Sequence, residues 1–210
     1  MPEFERLDGC SDWIDLEFVE RERTPEQIVE VGIQLHLGCL STKNTSQVLG
    51  ELGVECSHVA VHNWIQKADL QPDSDVVPNQ IAVDETVIRL NDEQYWLYAA
   101  VDPQTNKFLH VRLFQTASKL FSRQFLRELR EKLPVEQATF LVDGAAYLAS
   151  ALSRLGLRFR VCPDGNRNSV ERVFREVKRR TSSFSNTFSH ARRSTAETWL
   201  QAFAVWWNRC

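Results

Sequence analysis

The spacing of apolar residues changes along the chain and divides it into segments. In TPEQIVEVGIQLHLG, Thr24 stands as an N-cap, Pro25 at the first helical position and Gln27 three residues beyond the cap. Ile28, Val31 and Leu35 recur at helical spacing, and Gly38 is a natural stop. STKNTSQVLGELG predicts a second short helix with Val48, Leu49 and Leu52 inward and Gly53 at its end. CSHVAVHNWIQKAD predicts a third, capped by Ser57 and packed through Val61, Trp64 and Ile65. Two short helices across a glycine-containing turn, after a supporting helix, make a helix-turn-helix pattern. The polar positions of the third helix (His58, His62, Asn63, Gln66 and Lys67) could reach a DNA major groove.

The period then shortens. LQPDSDVVPNQ, residues 70–80, has two prolines and few apolar residues and reads as a linker. IAVDETVIRL, QYWLYAAVD and KFLHVRLF are strand-like runs separated by the turn-formers NDEQ and DPQTN, which predicts an antiparallel meander. SKLFSRQFLRELREKL is an amphipathic helix with Leu120, Phe121, Phe125, Leu129 and Leu133 on or near one side. ATFLVDG reads as a buried strand, AAYLASALSRLG as a short helix stopping at Gly156, and RFRVCP as another strand. NSVERVFREVKRRTSSF and TAETWLQAFAVWWN complete the pattern as two helices. The segments are then an acidic arm at 1–23, a helix-turn-helix domain at 24–69, a linker at 70–80 and an α/β domain at 81–210.

Composition narrows the classes. At 210 residues, 43% hydrophobic and 25% charged, the chain is ordinary for a globular protein. No apolar run reaches the ~20 residues of a membrane span, and the acidic start lacks a signal core. Five scattered cysteines without a CxxC pair fit reduced thiols and a cytoplasmic location, near the nucleoid if DNA is the partner. Cys39, Cys56, His58 and His62 lack the tight paired spacing of a structural zinc site. The net charge of −3 is unevenly spread: residues 1–30 carry three basic and ten acidic side chains, residues 166–210 nine basic and three acidic. The C-terminal end is therefore a basic field that a phosphate backbone would meet.

Three carboxylates stand out against this background. Asp84 and Asp143 lie at or near the ends of strand-like runs, and Glu171 opens the basic helix. The order of three antiparallel strands, helix, strand, helix, strand, helix is that of the ribonuclease-H-like fold of integrases. VDET around Asp84, YWLYAAVDPQTN, VDGAAY around Asp143 and NSVERVFREVKRR around Glu171 resemble, in order, the motifs of DDE transposases of the insertion-sequence-six type. The resemblance covers roughly residues 25–208. It implies an α/β, integrase-type mixed sheet with flanking helices, preceded by a small all-α helix-turn-helix domain. It also implies an enzyme that cuts and joins the ends of its own mobile element, with the element's terminal inverted repeats and target DNA as partners. No small-molecule substrate is implied, and pairing two DNA ends needs a homodimer or larger assembly. One departure is the interval from Asp143 to Glu171, 28 residues here against about thirty-five in many members; the shortening falls in the loop CPDGNRN, where deletion costs little.

The chemistry can be argued from the residues themselves. Phosphodiester transfer needs an attacking and a leaving oxygen held in line with their charge neutralised, which two Mg2+ ions about 3.5–4 Å apart achieve. Magnesium takes oxygen ligands, with Mn2+ able to substitute, and three acids suit it. Asp84 would bridge the ions while Asp143 and Glu171 each hold one. On helix 169–183, Val170, Val173, Phe174 and Val177 make the apolar face, and Glu171, Arg175 and Lys178 share another. Arg172, Arg179 and Arg180, and later Arg192 and Arg193, extend a basic track for DNA, although pairing of Glu171 with Arg175 or Lys178 is the plainer use of those charges. Glu85 points to the opposite face of its strand from Asp84, while Asp102 and Asp164 read as turn residues. Trp199, Trp206 and Trp207 recur at core spacing. Three other functions remain: a catalytically degenerate remnant that only binds DNA, a nuclease acting on RNA–DNA hybrids, and an aspartyl phosphatase. A major-groove helix argues against the hybrid nuclease, and Thr86, where a phosphatase wants a second Asp, against the last.

Overall fold

Strands β1 (Gln80–Leu90), β2 (Glu93–Val101), β3 (Phe108–Phe114), β4 (Thr139–Val142) and β5 (Phe159–Val161) form one sheet in the order β3-β2-β1-β4-β5. The computed structural model describes residues 14, 18–19, 24–38, 40–73, 78–162, 168–183 (side chains of 170–179) and 191–209. The meander reads as expected: β1 and β2 are antiparallel, with Leu90 opposite Glu93, and β2 and β3 continue it. Asn91 at φ 55° lets the two-residue turn Asn91–Asp92 close the hairpin, since asparagine tolerates the left-handed region. At the next turn Asp102 accepts from the Gln104 amide at 2.9 Å and the Thr105 hydroxyl at 2.7 Å, the turn-forming role its sequence implies. Beyond β1 the sheet becomes parallel, β1 to β4 and β4 to β5.

Seven helices accompany the sheet: α1 (Glu26–Gly38), α2 (Thr42–Glu51), α3 (His58–Ala68), α4 (Lys119–Lys132), α5 (Ala146–Arg154), α6 (Asn168–Ser183) and α7 (Arg193–Trp207). Serine caps set three of the starts. Ser41, Ser57 and Ser118 accept hydrogen bonds from the amides of Asn44, Ala60 and Phe121. Alternation along the strands splits the core in two. Ile81, Val83, Tyr98, Ala100, Phe140 and Val142 pack against α4 and α5 on one face. Ala82, Leu97, Ala99, Val101 and Leu141 pack with α6, α7 and the N-terminal helices on the other.

Two apolar positions and the buried face of α1 depart from the sequence reading. Leu52 and Leu120, expected inward, are 43% and 65% exposed. Both sit at helix ends, Leu52 just past the last turn of α2 and Leu120 in the first turn of α4, where no neighbouring element covers them. In α1 the buried residues are Ile28, Val29, Gly32, Ile33, His36 and Leu37, a wider face than the stripe of Ile28, Val31 and Leu35. The reason is that α1 packs against α2 and α3 and also against α7.

Helix α7 holds the layers together. Glu197 accepts from the Leu113 amide and from Arg112 Nε, each at 2.8 Å. Arg112 also donates to Glu128 of α4, which pairs with the buried His110 at 3.1 Å. Just past the helix, the Asn208 side-chain amide bonds both the N–H and the carbonyl of Phe108, standing in for a neighbouring strand on the edge of β3. Trp199 is buried, as its spacing implied, while Trp206 and Trp207 are half-buried against the same core. Among the described residues no helix is long and apolar enough to cross a membrane.

Trp199 also joins α7 to α1. Its indole N–H donates to His36 Nε2 at 3.0 Å, and His36 Nδ1 lies 2.8 Å from the Leu40 carbonyl. An indole nitrogen can only donate, so His36 is neutral with its proton on Nδ1. Burial, with His62 nearby, lowers its pKa to about 4. Protonation would set two donors against each other in a buried site. Because the folded pKa lies below the unfolded value, the unfolded chain takes up the extra proton first, so stability is full above about pH 6.5 and falls toward pH 4. Replacing His36 by Gln is expected to remove about 2 kcal/mol of the stability difference between about pH 7.5 and pH 5, read by urea denaturation at both pH values. An unchanged pH dependence would exclude His36 as its source.

Candidate active site

The parallel ladder pairs Gln80, Ile81 and Ala82 with Thr139, Phe140 and Leu141. The pairing ends there, and Asp84 and Asp143 each lie two residues beyond it. Ala82 faces the core shared with α6, so alternation along β1 turns Asp84 toward that face as well. Asp84 is 7% exposed, while Asp143, one residue past β4, is half-buried. Each carboxylate has a local backbone donor: Asp84 Oδ1 accepts from the Glu85 amide at 2.9 Å, and Asp143 Oδ1 from the Ala145 amide at 2.8 Å.

Helix α6 lies over β1 and β2 on the same face. Val170, Val173, Phe174 and Val177 are all buried against the sheet. Glu171, in the first turn, is exposed, as are Arg172, Arg175, Lys178 and Arg179. Arg179 is ion-paired with Glu176, a partner within its own helix. The structure thus puts Asp84 on β1, Asp143 one residue past the neighbouring β4, and Glu171 on the helix that packs over β1 and β2. All three are oxygen donors and suit a hard divalent cation. Among the described residues, no three acidic, histidine or cysteine side chains stand close enough to hold one ion as they are.

The predicted DNA-reading residues His58, His62, Asn63 and Lys67 are all exposed on α3, whereas Val61, Trp64 and Ile65 face inward. Gly53, at φ 84°, makes the turn between α2 and α3 in a conformation that favours glycine. Helix α3 also packs on α7, and Gln66 donates to the Thr195 carbonyl at 3.2 Å. The Lys67 ammonium lies 5.9 Å from the Phe18 ring. Arg192 and Arg193 begin α7, with Arg193 3.8 Å from Glu197. Cys39, Asp164 with most of its loop, and the side chain of Arg180 lie outside the described residues.

Glu85 points away from Asp84, as its alternation required, and there it meets a residue the sequence reading had not singled out. The Tyr147 hydroxyl, in the first turn of α5, donates to Glu85 Oε1. Burial, then this contact with a carboxylate, push the Tyr147 hydroxyl pKa well above the ordinary tyrosine value. Tyr98, beside them and 3.3 Å from the Ser122 hydroxyl, is pushed up to about 12, mainly by burial. The available signal was a tyrosine four residues after Asp143, one helical turn along, in a motif already read for its aspartate.

The DDE domain family of IS240/IS6-type transposases matches residues 79–208, and the chain belongs to that family. Fold and family together define a metal-dependent DNA phosphoryl transferase of the DDE class. An uncharacterized protein of Methanocaldococcus jannaschii is 29% identical over 194 residues, covering 91% of this chain and 89% of its own. Among solved structures, the HTLV-2 integrase catalytic core in complex with magnesium (dimeric form) is 12% identical, covering 53% of this chain and 74% of that one at a TM-score of 0.39. The BIV integrase catalytic core is 15% identical, covering 58% and 81% at 0.42. A chain of the simian T-cell lymphotropic virus intasome is 16% identical, covering 77% and 63% at 0.47. Likenesses this distant concern the path of the chain only.

The turn after Asp143 is sterically specified. Gly144 has φ 95°, and a Cβ there would lie 3.1 Å from Val161 Cγ1. Gly144→Ala is therefore expected to cost about 1–3 kcal/mol, measured as a lowered thermal midpoint. An unchanged midpoint would show that the turn accommodates a side chain.

Proposed function

We propose that the protein is the transposase of an insertion sequence, cutting DNA strands at the ends of its own element and joining them to a target. The observation that carries this reading is the parallel pairing of β1 with β4, which brings the strand bearing Asp84 beside the one leading into Asp143, with the helix bearing Glu171 packed over β1. Those three carboxylates would hold a pair of Mg2+ ions, for which Mn2+ can substitute, and the ions would supply charge neutralisation at the attacking and leaving oxygens. The chain's own part is positioning. β1 would carry one acid, the chain leaving β4 the second, and α6 the third, on the helix whose exposed side carries Arg172, Arg175 and Lys178 for the DNA backbone. Helix α3 would read the terminal inverted repeats through His58, His62, Asn63 and Lys67. Pairing two ends requires at least a homodimer acting on DNA at the nucleoid. The segments 24–69 and 81–210 divide these tasks between recognition and chemistry.

The shortened Asp143–Glu171 interval favours a second reading, a remnant that binds DNA without joining it. The two separate in a strand-joining assay with a labelled element end in Mg2+ or Mn2+, run beside Ca2+ and EDTA. Asp84→Ala, Asp143→Ala and Glu171→Ala are each expected to abolish joining while end binding stays at the wild-type level. Specific binding by the wild type without joining in either metal would establish the remnant instead. In footprinting, replacing His62 and Lys67 together by Ala should weaken end binding about tenfold or more, as loss of one base contact and one phosphate contact implies. An unchanged footprint would remove α3 as the reading helix.

A further inference from the structure

The backbone ladder between β1 and β4 ends at the pair Ala82–Leu141, two residues short of the two aspartates. Past that point β1 runs on beside β2 alone, and the chain leaving β4 turns at Asp143–Gly144 into α5. A direct side-chain link between the segment bearing Asp84 and the segment bearing Asp143 is the hydrogen bond from Tyr147 to Glu85. Glu85 is covalently next to Asp84, and its amide donates to the Asp84 carboxylate. Tyr147 sits one helical turn beyond Asp143, and the Asp143 carboxylate in turn receives the Ala145 amide that opens α5. The bond lies on the reverse face of the sheet, where Tyr147 packs among residues of α4 and α5.

We infer that Glu85 and Tyr147 are positioning residues: a clamp on the reverse face that sets the separation and orientation of Asp84 and Asp143 where the ladder no longer does so. This inference depends on the reading of those aspartates as cation ligands. The physical reason is tolerance. Two carboxylates that share cations must be held within about 0.5 Å of the productive geometry, which needs support from residues behind them. A partly buried tyrosine packed on this core and bonded to a carboxylate supplies this without touching DNA or cation. A glutamate beside a catalytic aspartate, facing the wrong way for catalysis, thereby has a role.

The test uses the full chain with Mn2+ as the probe, binding read by electron paramagnetic resonance and folding by thermal denaturation. Tyr147→Phe, which removes only the hydroxyl, is expected to weaken Mn2+ binding about tenfold or more. The Mn2+ concentration for half-maximal strand joining should rise by a similar factor, with end binding unchanged. Glu85→Gln keeps an oxygen able to accept from Tyr147 and should stay near wild type, whereas Glu85→Ala should behave like Tyr147→Phe. A Tyr147→Phe protein that titrates Mn2+ like the wild type overturns the clamp, whatever its thermal midpoint. If that variant does not fold, equal Mn2+ affinity in Glu85→Gln and Glu85→Ala overturns it equally. A wild type that binds no more Mn2+ than Asp143→Ala overturns the metal-site reading itself, an outcome separate from a failed clamp.

Discussion

Three residues of parallel pairing, Gln80–Ala82 against Thr139–Leu141, hold the arrangement on which the site depends. On one side of β1 the sheet is antiparallel and built from hairpins; on the other it is parallel and built by crossovers through α4 and α5. Crevices open at such a switch in an α/β sheet, because the connections leave in opposite directions from neighbouring strands. Asp143 follows the carboxyl end of β4 at that point, and Asp84 lies on the longer neighbouring β1. Since side chains alternate with a period of two, a slip of one residue would send one aspartate to the reverse face. The hydrophobic pattern prevents the slip: Ala82 and Leu141 belong to one core, Ile81 and Phe140 to the other.

The two faces of the sheet do different work. The reverse face is closed by α4 and α5 and holds a polar set in the half-buried Glu85 and Tyr147 and the buried Tyr98 and Ser122. The candidate-site face is closed by α6, α7 and the N-terminal helices within one continuous core. Helix α7 is central to this closure. It covers the edge of β3 through Glu197 and Asn208, and it meets α1 through Trp199 and His36. An edge strand so covered has few open N–H and C=O groups with which to pair another chain. Helices α1 and α3 both pack on α7, within the core that α6 shares.

Much of the fold was legible because local signals agreed. Ser57 as a cap, Val61, Trp64 and Ile65 as the inner face of α3, and the turn at Asp102 each follow from a few neighbouring residues. Leu52 and Leu120 misled because helical spacing shows which residues share a face but not whether a partner reaches the helix end. The wider buried face of α1 has the complementary cause: a second partner, α7, arrives from more than 150 residues away, as the His36–Trp199 bond shows. Glu85 was placed on its face correctly, yet its partner Tyr147 lies 62 residues on, beyond anything periodicity reports.

The sequence by itself determined the order of elements, the two-domain pattern of signals and the three acids in their motifs, because capping, turn chemistry and side-chain alternation act over a few residues. Tertiary structure alone decided that β1, bearing Asp84, pairs with β4, which leads into Asp143, that α6 packs over β1, and that Tyr147 reaches Glu85. Each of these depends on register and packing between segments distant in the chain. Those are set by the fit of whole faces against one another, which no local run of residues encodes.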